Sequence, residues 1–262
     1  MDFNLDPGWQ LLPIGGDTGT AYMGTRAQEK VFLKRNMSPF LAALSVAGIT
    51  PKLIWTKRIS SGDTLTAQEW LNGRNLNSDE MSQKMVPELL SKIHRSKQLR
   101  SMLSQVGGET ITPSGLLANY FDDLSNDLKN HPLLTDIFHQ LNERQPELST
   151  DDYTVCHGDL NHRNWLRSDT NQLYLVDWES AKIADPAMDL SLVMSEYIPS
   201  TQWRDWLESY HESLEDNDLL NRINWYYKMA ILQRIKKAHG LGRFHEMNQA
   251  LVELQKYNAE MN

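Results

Sequence analysis

A polar loop between two short apolar runs constrains this chain more than any other feature of its sequence. The apolar run at 153–156 leads into the loop His157-Gly158-Asp159-Leu160-Asn161-His162-Arg163-Asn164, and a second apolar run at 173–176 ends at Asp177. Apolar runs of this length between polar turns predict β-strands. The order predicts a hairpin that can bring Asp159, Asn164 and Asp177 together.

These three side chains carry the groups that a phosphoryl-transfer site needs. A carboxylate can orient or deprotonate an attacking hydroxyl, and hard oxygen ligands can hold Mg²⁺ while it binds phosphates. The spacing lets a tight loop place Asp159 toward an acceptor and Asn164 back toward a metal, which Asp177 meets from the next strand. We therefore predict Asp159 as the catalytic base, and Asn164 and Asp177 as magnesium ligands.

The two segments resemble the catalytic loop and the metal-binding strand end of the aminoglycoside phosphotransferase and choline kinase family, itself built like the protein kinases. The family's His-x-Asp-x-x-x-x-Asn loop and Asp-[Trp/Phe]-Glu strand end are both intact, and Asp185-Pro186-Ala187-Met188-Asp189-Leu190 is similar to its Asp-Pro-x-x-Asp-Leu. The resemblance implies an α+β, two-lobed protein kinase-like fold with a small β-rich N-terminal lobe and a larger helical C-terminal lobe. It also implies ATP and Mg²⁺ as cofactors.

Other positions of the two motifs take roles from the same resemblance. His157 matches a position that is mostly architectural, and Asp189 is expected to accept backbone N–H groups of the catalytic loop. Glu179 faces either the metal or the acceptor. Arg163 either neutralises phosphate charge or is a solvated loop cation.

The predicted nucleotide site lies earlier in the chain. The turn that contains Gly15, Gly16, Thr18 and Gly19 separates two strand-like runs, and glycines let backbone N–H groups approach phosphates closely. Lys34, on the next predicted strand, matches the lysine that contacts the α- and β-phosphates. The backbone of Glu69 and Leu71 resembles the hinge that binds adenine.

One departure from the family pattern concerns the partner of Lys34. The family usually pairs this lysine with a glutamate on the following helix, but the chain has no Glu or Asp between Lys34 and Pro51. Lys34 is therefore either unpaired or paired by a residue from elsewhere.

The coarse pattern of elements divides the chain at a crossing segment near residues 70–75. We predict a nucleotide-binding lobe at 1–72 and a catalytic and acceptor-binding helical lobe at 73–262. The first lobe is read as strands with one short helix at 41–47, and the second as helices at 78–97, 114–130, 133–145 and from 189 onward.

Charge and cysteine content exclude several other classes. The formal net charge of −8 gives no general attraction to nucleic acid or to an anionic membrane. The single cysteine, Cys156, excludes an internal disulfide and lies in an apolar run, which favours core packing over nucleophilic chemistry. The acidic N-terminus lacks the pattern of a signal peptide, and no apolar run is long enough to span a bilayer, so we expect a cytoplasmic protein.

Three functions stay open from the sequence. The first is an ATP-dependent phosphotransferase acting on a small-molecule hydroxyl, with a pentose or nucleoside as first choice and choline-like amino alcohols or aminoglycosides as second. The second is a nucleotide-binding pseudokinase or scaffold, and the third, weaker, is a protein kinase. Further stretches, such as Ala67-Gln68-Glu69-Trp70-Leu71, are similar to a cell-cycle regulator branch of the family from Gram-positive bacteria. That similarity implies a role in coordinating replication and division, with division or replication-initiation proteins as partners.

Overall fold

The computed structural model describes residues 7–14, 21–211 and 217–261, with side chains up to residue 259. Two compact units divide the chain. The first comprises Met1–Gly108 and Asp159–Ala181, and the second comprises Glu109–Gly158 and Lys182–Asn262. The lobe boundary expected after residue 72 stays a prediction.

The first unit carries an antiparallel sheet with, among the described residues, five strands in the order β1-β2-β3-β5-β4. The strands are β1 Gln10–Pro13, β2 Ala21–Arg26, β3 Glu29–Arg35, β4 Leu53–Arg58 and β5 Thr64–Glu69. Alternate residues of a strand point to opposite faces. Val31 and Leu33 of β3 therefore lie in the apolar cluster on one face, and Lys34 lies on the other.

The same alternation separates Lys34 from its neighbour Arg35. The Arg35 guanidinium pairs with Asp63, which lies in the turn before β5. Arg35 therefore makes its contacts on the face of β3 opposite to that of Lys34.

The helices of the first unit differ from the single helix expected at 78–97. A 3₁₀ helix covers Ser78–Ser82 and is followed by α2 Met85–His94 and α3 Lys97–Gln105, while α1 covers Phe40–Val46. The hydroxyl of Ser96 accepts the N–H of Leu99 and begins α3, which separates it from α2. The expectation of one helix was wrong. Apolar residues continue at helical spacing across these breaks, so the sequence pattern does not reveal them.

A second sheet of the first unit supports the catalytic loop. Among the described residues it has three strands, β6 Gly73–Asn75, β8 Trp165–Ser168 and β9 Leu173–Leu175, in the order β6-β8-β9. Gly73 is required where β6 pairs with β8, because a Cβ there would collide with the carbonyl oxygen of Arg167. The loop that carries Asp159 and Asn164 leads directly into β8.

An ion-pair cluster fastens β6 and β8 to the 3₁₀ helix. The Glu80 carboxylate accepts bonds of 2.6 and 2.7 Å from Arg74 and lies 3.4 Å from Arg167. The Arg74 hydrogen bonds, with a further bond from the Asn77 N–H and the charge of Arg167, lower the pKa of Glu80 to about 2.

This cluster predicts an acid-sensitive contribution to stability. A carboxyl whose pKa is lowered on folding stabilises the fold above its unfolded pKa, here 4.5, and loses that contribution as the pH falls toward about 2. We expect Glu80→Gln to have a lower urea midpoint than the unaltered chain at pH 6. Most of the difference between the two proteins should disappear by pH 2, because the Glu80 carboxyl of the unaltered chain has by then lost most of its contribution. The matched control is Glu88→Gln, whose exposed pair with Lys84 should change the midpoint little at either pH. A Glu80→Gln defect of equal size at both pH values would contradict the assignment.

The second unit is largely helical. Its two strands, in the part of the chain that is described, are β7 Thr154–Cys156 and β10 Lys182–Ala184, and they pair antiparallel. Its helices are α4 Pro113–Phe121, α5 Asn126–Lys129, α6 Pro132–Glu143, α7 Ala187–Tyr197, α8 Trp203–Tyr210, α9 Asn217–Gly240 and α10 Phe244–Met261. Short 3₁₀ helices cover Thr150–Asp152, His162–Asn164, Trp178–Ser180 and Ser200–Gln202, of which the middle two belong to the first unit.

The helix expected at 114–130 is two helices. Asp123 adopts a left-handed conformation with φ of 52°, which ends α4, and the Ser125 hydroxyl caps α5 by accepting the N–H of Leu128. The long α9 forms the centre of this unit, and the indole of Trp225 donates a 2.8 Å bond to the carbonyl of Leu141 on α6. Within the described residues, every helix is too short or too polar to cross a membrane.

Candidate active site

Two amide side chains hold the carboxylate of Asp159. The Asn164 Nδ2 donates to the main-chain oxygen of Asp159 at 2.8 Å and to its Oδ2 at 3.1 Å, while Asn161 Nδ2 donates to Oδ1 at 2.9 Å. Asn161 also accepts the N–H of Arg163 and so begins the 3₁₀ helix that carries Asn164. The Asp159 side chain is therefore exposed but fixed in direction.

The β8–β9 pair brings Asp177 to the same end of the sheet as Asn164. Trp165 pairs with Leu175, and the Val176 N–H donates a 2.9 Å bond to the carbonyl of Asn164. The next residue, Asp177, has a φ of 65° in the left-handed region. This conformation is uncommon outside glycine, although Asp and Asn tolerate it, and it often marks functional positions.

The residue after Asp177 anchors this turn. Trp178 is buried, and its indole donates a 2.8 Å bond to the carbonyl of Leu175. Its ring meets Phe40 of α1 edge to face, with 5.9 Å between the centroids. The side chain of Asp177 is consequently presented from a well-packed turn.

Lys34 joins the strand end to the first sheet. Its Nζ lies 2.8 Å from Asp177 Oδ1 and 2.7 Å from Glu179 Oε1, and its side chain is 11% exposed. Burial by itself lowers the pKa of this ammonium, but the hydrogen bonds and charges of Asp177 and Glu179 more than offset it and raise the pKa above 10.5. Lys34 is therefore cationic at neutral pH.

These contacts decide the partner of Lys34 that the sequence left open. Helix α1 follows β3, and its first turn carries no acidic residue. Of the two alternatives, pairing by a residue from elsewhere is confirmed, since Asp177 and Glu179 lie more than 140 positions along the chain. Glu179 faces the lysine in this structure, which neither of its expected roles anticipated.

In the second unit, Asp189 holds the start of the catalytic loop. Its buried carboxylate accepts the backbone N–H of His157 at 2.7 Å and that of Gly158 at 3.0 Å. Gly158 has a φ of 77°, which favours glycine at this position. The expected role of Asp189 is confirmed.

Cys156 is fully buried, and burial raises the pKa of its thiol. Both observations agree with the predicted role of this residue in core packing.

The sequence did not reveal the residue that supports the start of α7. Arg222 of α9 donates a 2.6 Å bond to Asp185 Oδ1, which also accepts the N–H of Ala187. Burial raises the pKa of Asp185, and Arg222 partly offsets this. Asp185 is part of a recognisable sequence motif, but its partner Arg222 lies 37 residues away. No pattern in the sequence around Arg222 indicates this contact. Asn161 was also missed, although it lies inside the loop.

The predicted nucleotide-binding residues are only partly described. Gly15, Gly16, Thr18 and Gly19 lie outside the described residues. In the predicted hinge, the Glu69 N–H donates to the carbonyl of Lys52 at 2.8 Å, so this N–H is already engaged within the chain. Leu71, in the described part of the chain, makes no backbone hydrogen bond.

The donor set fits a hard cation. The Asn164 amide nitrogen is engaged by Asp159, while its amide oxygen accepts no hydrogen bond from the described residues. That oxygen and the Asp177 carboxylate are the ligand types that Mg²⁺ prefers. The positive charge of Lys34 beside them suits phosphate oxygens.

Comparison with known proteins gives the family. The model of the phosphotransferase enzyme family APH matches residues 25–226, which is most of the chain. The chain belongs to this phosphotransferase family.

Solved structures of other phosphotransferases have a similar fold. The choline kinase LicA from Streptococcus pneumoniae is 18% identical with a TM-score of 0.64, over 95% of this chain and 94% of that one. LicA in complex with AMP is 18% identical with a TM-score of 0.63, over 97% and 95%. Aminoglycoside 2'-phosphotransferase-IIIa, in its GDP complex, is 15% identical with a TM-score of 0.72, over 98% and 95%. The expected α+β protein kinase-like fold is thus confirmed, with an antiparallel sheet in the N-terminal part and a helical C-terminal part.

Proposed function

We propose that this phosphotransferase transfers the γ-phosphate of ATP to a hydroxyl group of a small molecule. The observation that carries the proposal is the arrangement in the first unit. There, Lys34 binds the carboxylate of Asp177, while Asn161 and Asn164 hold the carboxylate of Asp159. A pseudokinase that acts only as a scaffold has no need for a carboxylate that is both exposed and fixed in this way.

Asp159 is the proposed catalytic base. Its carboxylate accepts the proton of the acceptor hydroxyl and points the hydroxyl oxygen at the phosphorus. Because phosphoryl transfer passes through a loose transition state, the larger part of this contribution is orientation. The amide donors of Asn161 and Asn164 keep the carboxylate in one rotamer before the acceptor arrives.

Lys34 and the predicted hinge hold the nucleotide in this proposal. The ammonium of Lys34 binds the α- and β-phosphates, and the backbone of Glu69 and Leu71 binds adenine. The turn with Gly15, Gly16, Thr18 and Gly19 covers the phosphates with its backbone N–H groups. Asn164 and Asp177 would hold Mg²⁺, which, when bound, supplies neutralisation of the phosphate charge.

Replacing Asp177 with asparagine tests the metal assignment. Asparagine keeps the left-handed backbone accessible but removes the charge that would bind Mg²⁺. We expect the affinity for ADP in the presence of Mg²⁺, measured by calorimetry, to fall by about tenfold or more. ADP binding without Mg²⁺ is the internal control. It should not weaken in Asp177→Asn, because the substitution removes a carboxylate that competes with the phosphates for the ammonium of Lys34. An equal loss with and without Mg²⁺ would refute the metal role.

For the acceptor we propose a pentose or a nucleoside, and for the cell a role that coordinates replication with division. The cellular role is supported only by the similarity of scattered stretches to cell-cycle regulators of Gram-positive bacteria. Those regulators also suggest division or replication-initiation proteins as partners. Cell length and the ratio of origin to terminus DNA would test this role in a strain whose own copy carries Asp159→Asn. Normal values in that strain would contradict a role that needs catalysis.

The experiment that tests the proposed activity is a screen for ADP formation. The purified chain is incubated with Mg-ATP and a panel of nucleosides, pentoses and amino alcohols. We expect acceptor-dependent ADP formation with at least one hydroxyl compound, and a phosphorylated product by mass spectrometry. ATP binding without turnover on any acceptor would favour the scaffold alternative.

A further inference from the structure

A cavity of about 560 Å³ lies on the five-stranded sheet of the first unit. Its lining residues belong to β2, β3 and β4 or directly precede β1. Val31 lines it and belongs to the apolar cluster on one face of β3, whereas Lys34 lies on the other face. The cavity and the lysine assigned to ATP are therefore on opposite faces of the sheet.

Two tryptophans line this cavity from opposite edges of the sheet. Trp9 directly precedes β1 and Trp55 belongs to β4, and these are the edge strands of the five that are described. Both side chains are half-buried and pack against the apolar cluster. The Arg26 guanidinium lies 5.0 Å from the centroid of the Trp9 ring. The Trp55 ring has no such cation or ring contact with the described residues, so it is the ring on which a ligand can stack.

A bulge in β4 decides which way Trp55 points. The register of β4 against β5 shifts between Leu53 and Trp55, so that Leu53 pairs with Gln68 and Trp55 pairs with Ala67. Ile54 is the extra residue, and residues that pair across antiparallel strands project to the same face. Without the bulge, Ile54 would take the place of Trp55 beside Ala67. The bulge thus directs an indole, rather than an aliphatic side chain, to the face that carries the cavity.

The lining of the cavity is positively charged. It includes Arg26, Lys30 and Lys57, and Glu29 is the one acidic residue among its described lining residues. The Glu29 carboxylate accepts bonds of 3.2 and 2.9 Å from Arg26, which balances its charge. This cavity therefore favours an anion, although the whole chain has a formal net charge of −8.

Lys57 is the cation that is best placed beside Trp55. It pairs with Leu65, a member of the apolar cluster, and so projects to the same face as Trp55. The Lys30 ammonium instead lies 4.1 Å from the centroid of Trp70, which does not line the cavity. Two positions along a strand span about 6.6 Å. That spacing is close to the length of the ribose that separates a base from its 5'-phosphate.

The size of the cavity fits such a ligand. Pockets for small molecules measure roughly 300–1,000 Å³, and a volume of about 560 Å³ has room for a base, a ribose and a phosphate. A flat base stacks favourably on an indole, and an ammonium binds phosphate oxygens.

We infer that this cavity is a second ligand site, which binds a nucleotide with its base on Trp55 and its phosphate on Lys57. The Arg26 guanidinium, held by Glu29 and by the ring of Trp9, forms the opposite wall. The site is separate from the ATP site proposed above and does not depend on phosphotransfer.

Indole ¹H–¹⁵N correlation spectra measure binding at this cavity directly. Trp9→Phe and Trp55→Phe identify the two resonances, and AMP is the probe. We expect AMP to shift the Trp55 resonance. Adenosine and ribose 5-phosphate should each bind there about tenfold more weakly, because each lacks one of the two recognised groups. Lys57→Met should also weaken AMP at this site about tenfold, as the loss of a charged hydrogen bond predicts.

Two control variants separate this cavity from the proposed catalytic site. Arg58→Met removes the exposed cation next to Lys57, which pairs with Thr64 and projects to the other face, and should leave the Trp55 shift unchanged. Lys34→Met should leave it unchanged as well, because Lys34 lies on the opposite face of the sheet.

Several results would overturn the inference. They are a Trp55 resonance that millimolar AMP does not shift, an AMP affinity unaffected by Lys57→Met, and adenosine binding as tight as that of AMP. Loss of the shift in Lys34→Met would also overturn it, since the resonance would then report the catalytic nucleotide. A Trp55 shift that depends on Lys57, in a chain that forms no ADP with any acceptor, would refute the proposed function and leave this inference standing.

Discussion

Replacing Asp159 with asparagine is expected to lower kcat for acceptor-dependent ADP formation by about 10²–10⁴-fold. The neutral amide cannot take the proton of the acceptor hydroxyl, and it disrupts the bonds from Asn161 and Asn164 that now orient the carboxylate. Binding of Mg-ATP should stay within about twofold, since the nucleotide is assigned to Lys34, Asn164 and Asp177. Steady-state kinetics and calorimetry on the same preparation separate the two effects.

The matched control is Asp169→Asn, which changes the same atoms on an exposed turn after β8. Its turnover should equal that of the unaltered chain. Equal turnover by Asp159→Asn would remove the catalytic assignment. A parallel loss of ATP binding would instead place Asp159 in the nucleotide site.

Replacing Arg222 with methionine is expected to destabilise the fold by about 3–5 kcal/mol at pH 7. Asp185 is fully buried, and Arg222 is the cation that bonds its Oδ1 at 2.6 Å. Removing one partner of a buried pair leaves the other charge uncompensated, which costs far more than loss of an exposed pair. Urea unfolding followed by tryptophan fluorescence measures the change.

The pH dependence of this variant follows from the state of Asp185. Burial raises the pKa of this carboxyl, and loss of Arg222 raises it further, so the folded variant binds a proton more readily than the unfolded chain. Its stability should therefore fall as the pH rises, and the defect should be smaller at pH 5 than at pH 7.

Two further variants make the test specific to the buried pair. Asp218→Asn removes the other, exposed carboxylate that contacts Arg222 and should cost less than about 1 kcal/mol. Adding Asp185→Asn to Arg222→Met should recover part of the loss, because no charge is then buried. A defect in Arg222→Met no larger than that of Asp218→Asn would show that the buried pair is unimportant. The Asp185 carboxylate also accepts the N–H of Ala187 at the start of α7, the helix that carries Asp189. We therefore expect a reduced kcat in those variants of this series that remain folded.

The candidate site could be predicted where its members are close in sequence or end a recognisable strand. Asp159 and Asn164 lie five residues apart in one loop, and Asp177 ends the next apolar run, so their types and order were visible. The role of Asp189 followed from the family motif. The bounds of the helices at 78–97 and 114–130 were wrong, because short caps such as Ser96 and Ser125 interrupt a continuing apolar pattern.

The sequence by itself determined the chemical inventory of this protein: a loop with one carboxylate and one amide, a strand that ends in Asp-Trp-Glu, and a strand lysine without a helical glutamate. Only the tertiary structure decided which of these groups meet. Lys34 pairs with Asp177 and Glu179 across 143 and 145 positions of chain, and Asp185 pairs with Arg222. Such pairs are set by strand register, by burial and by the packing of distant elements, and none of these leaves a local mark in the sequence.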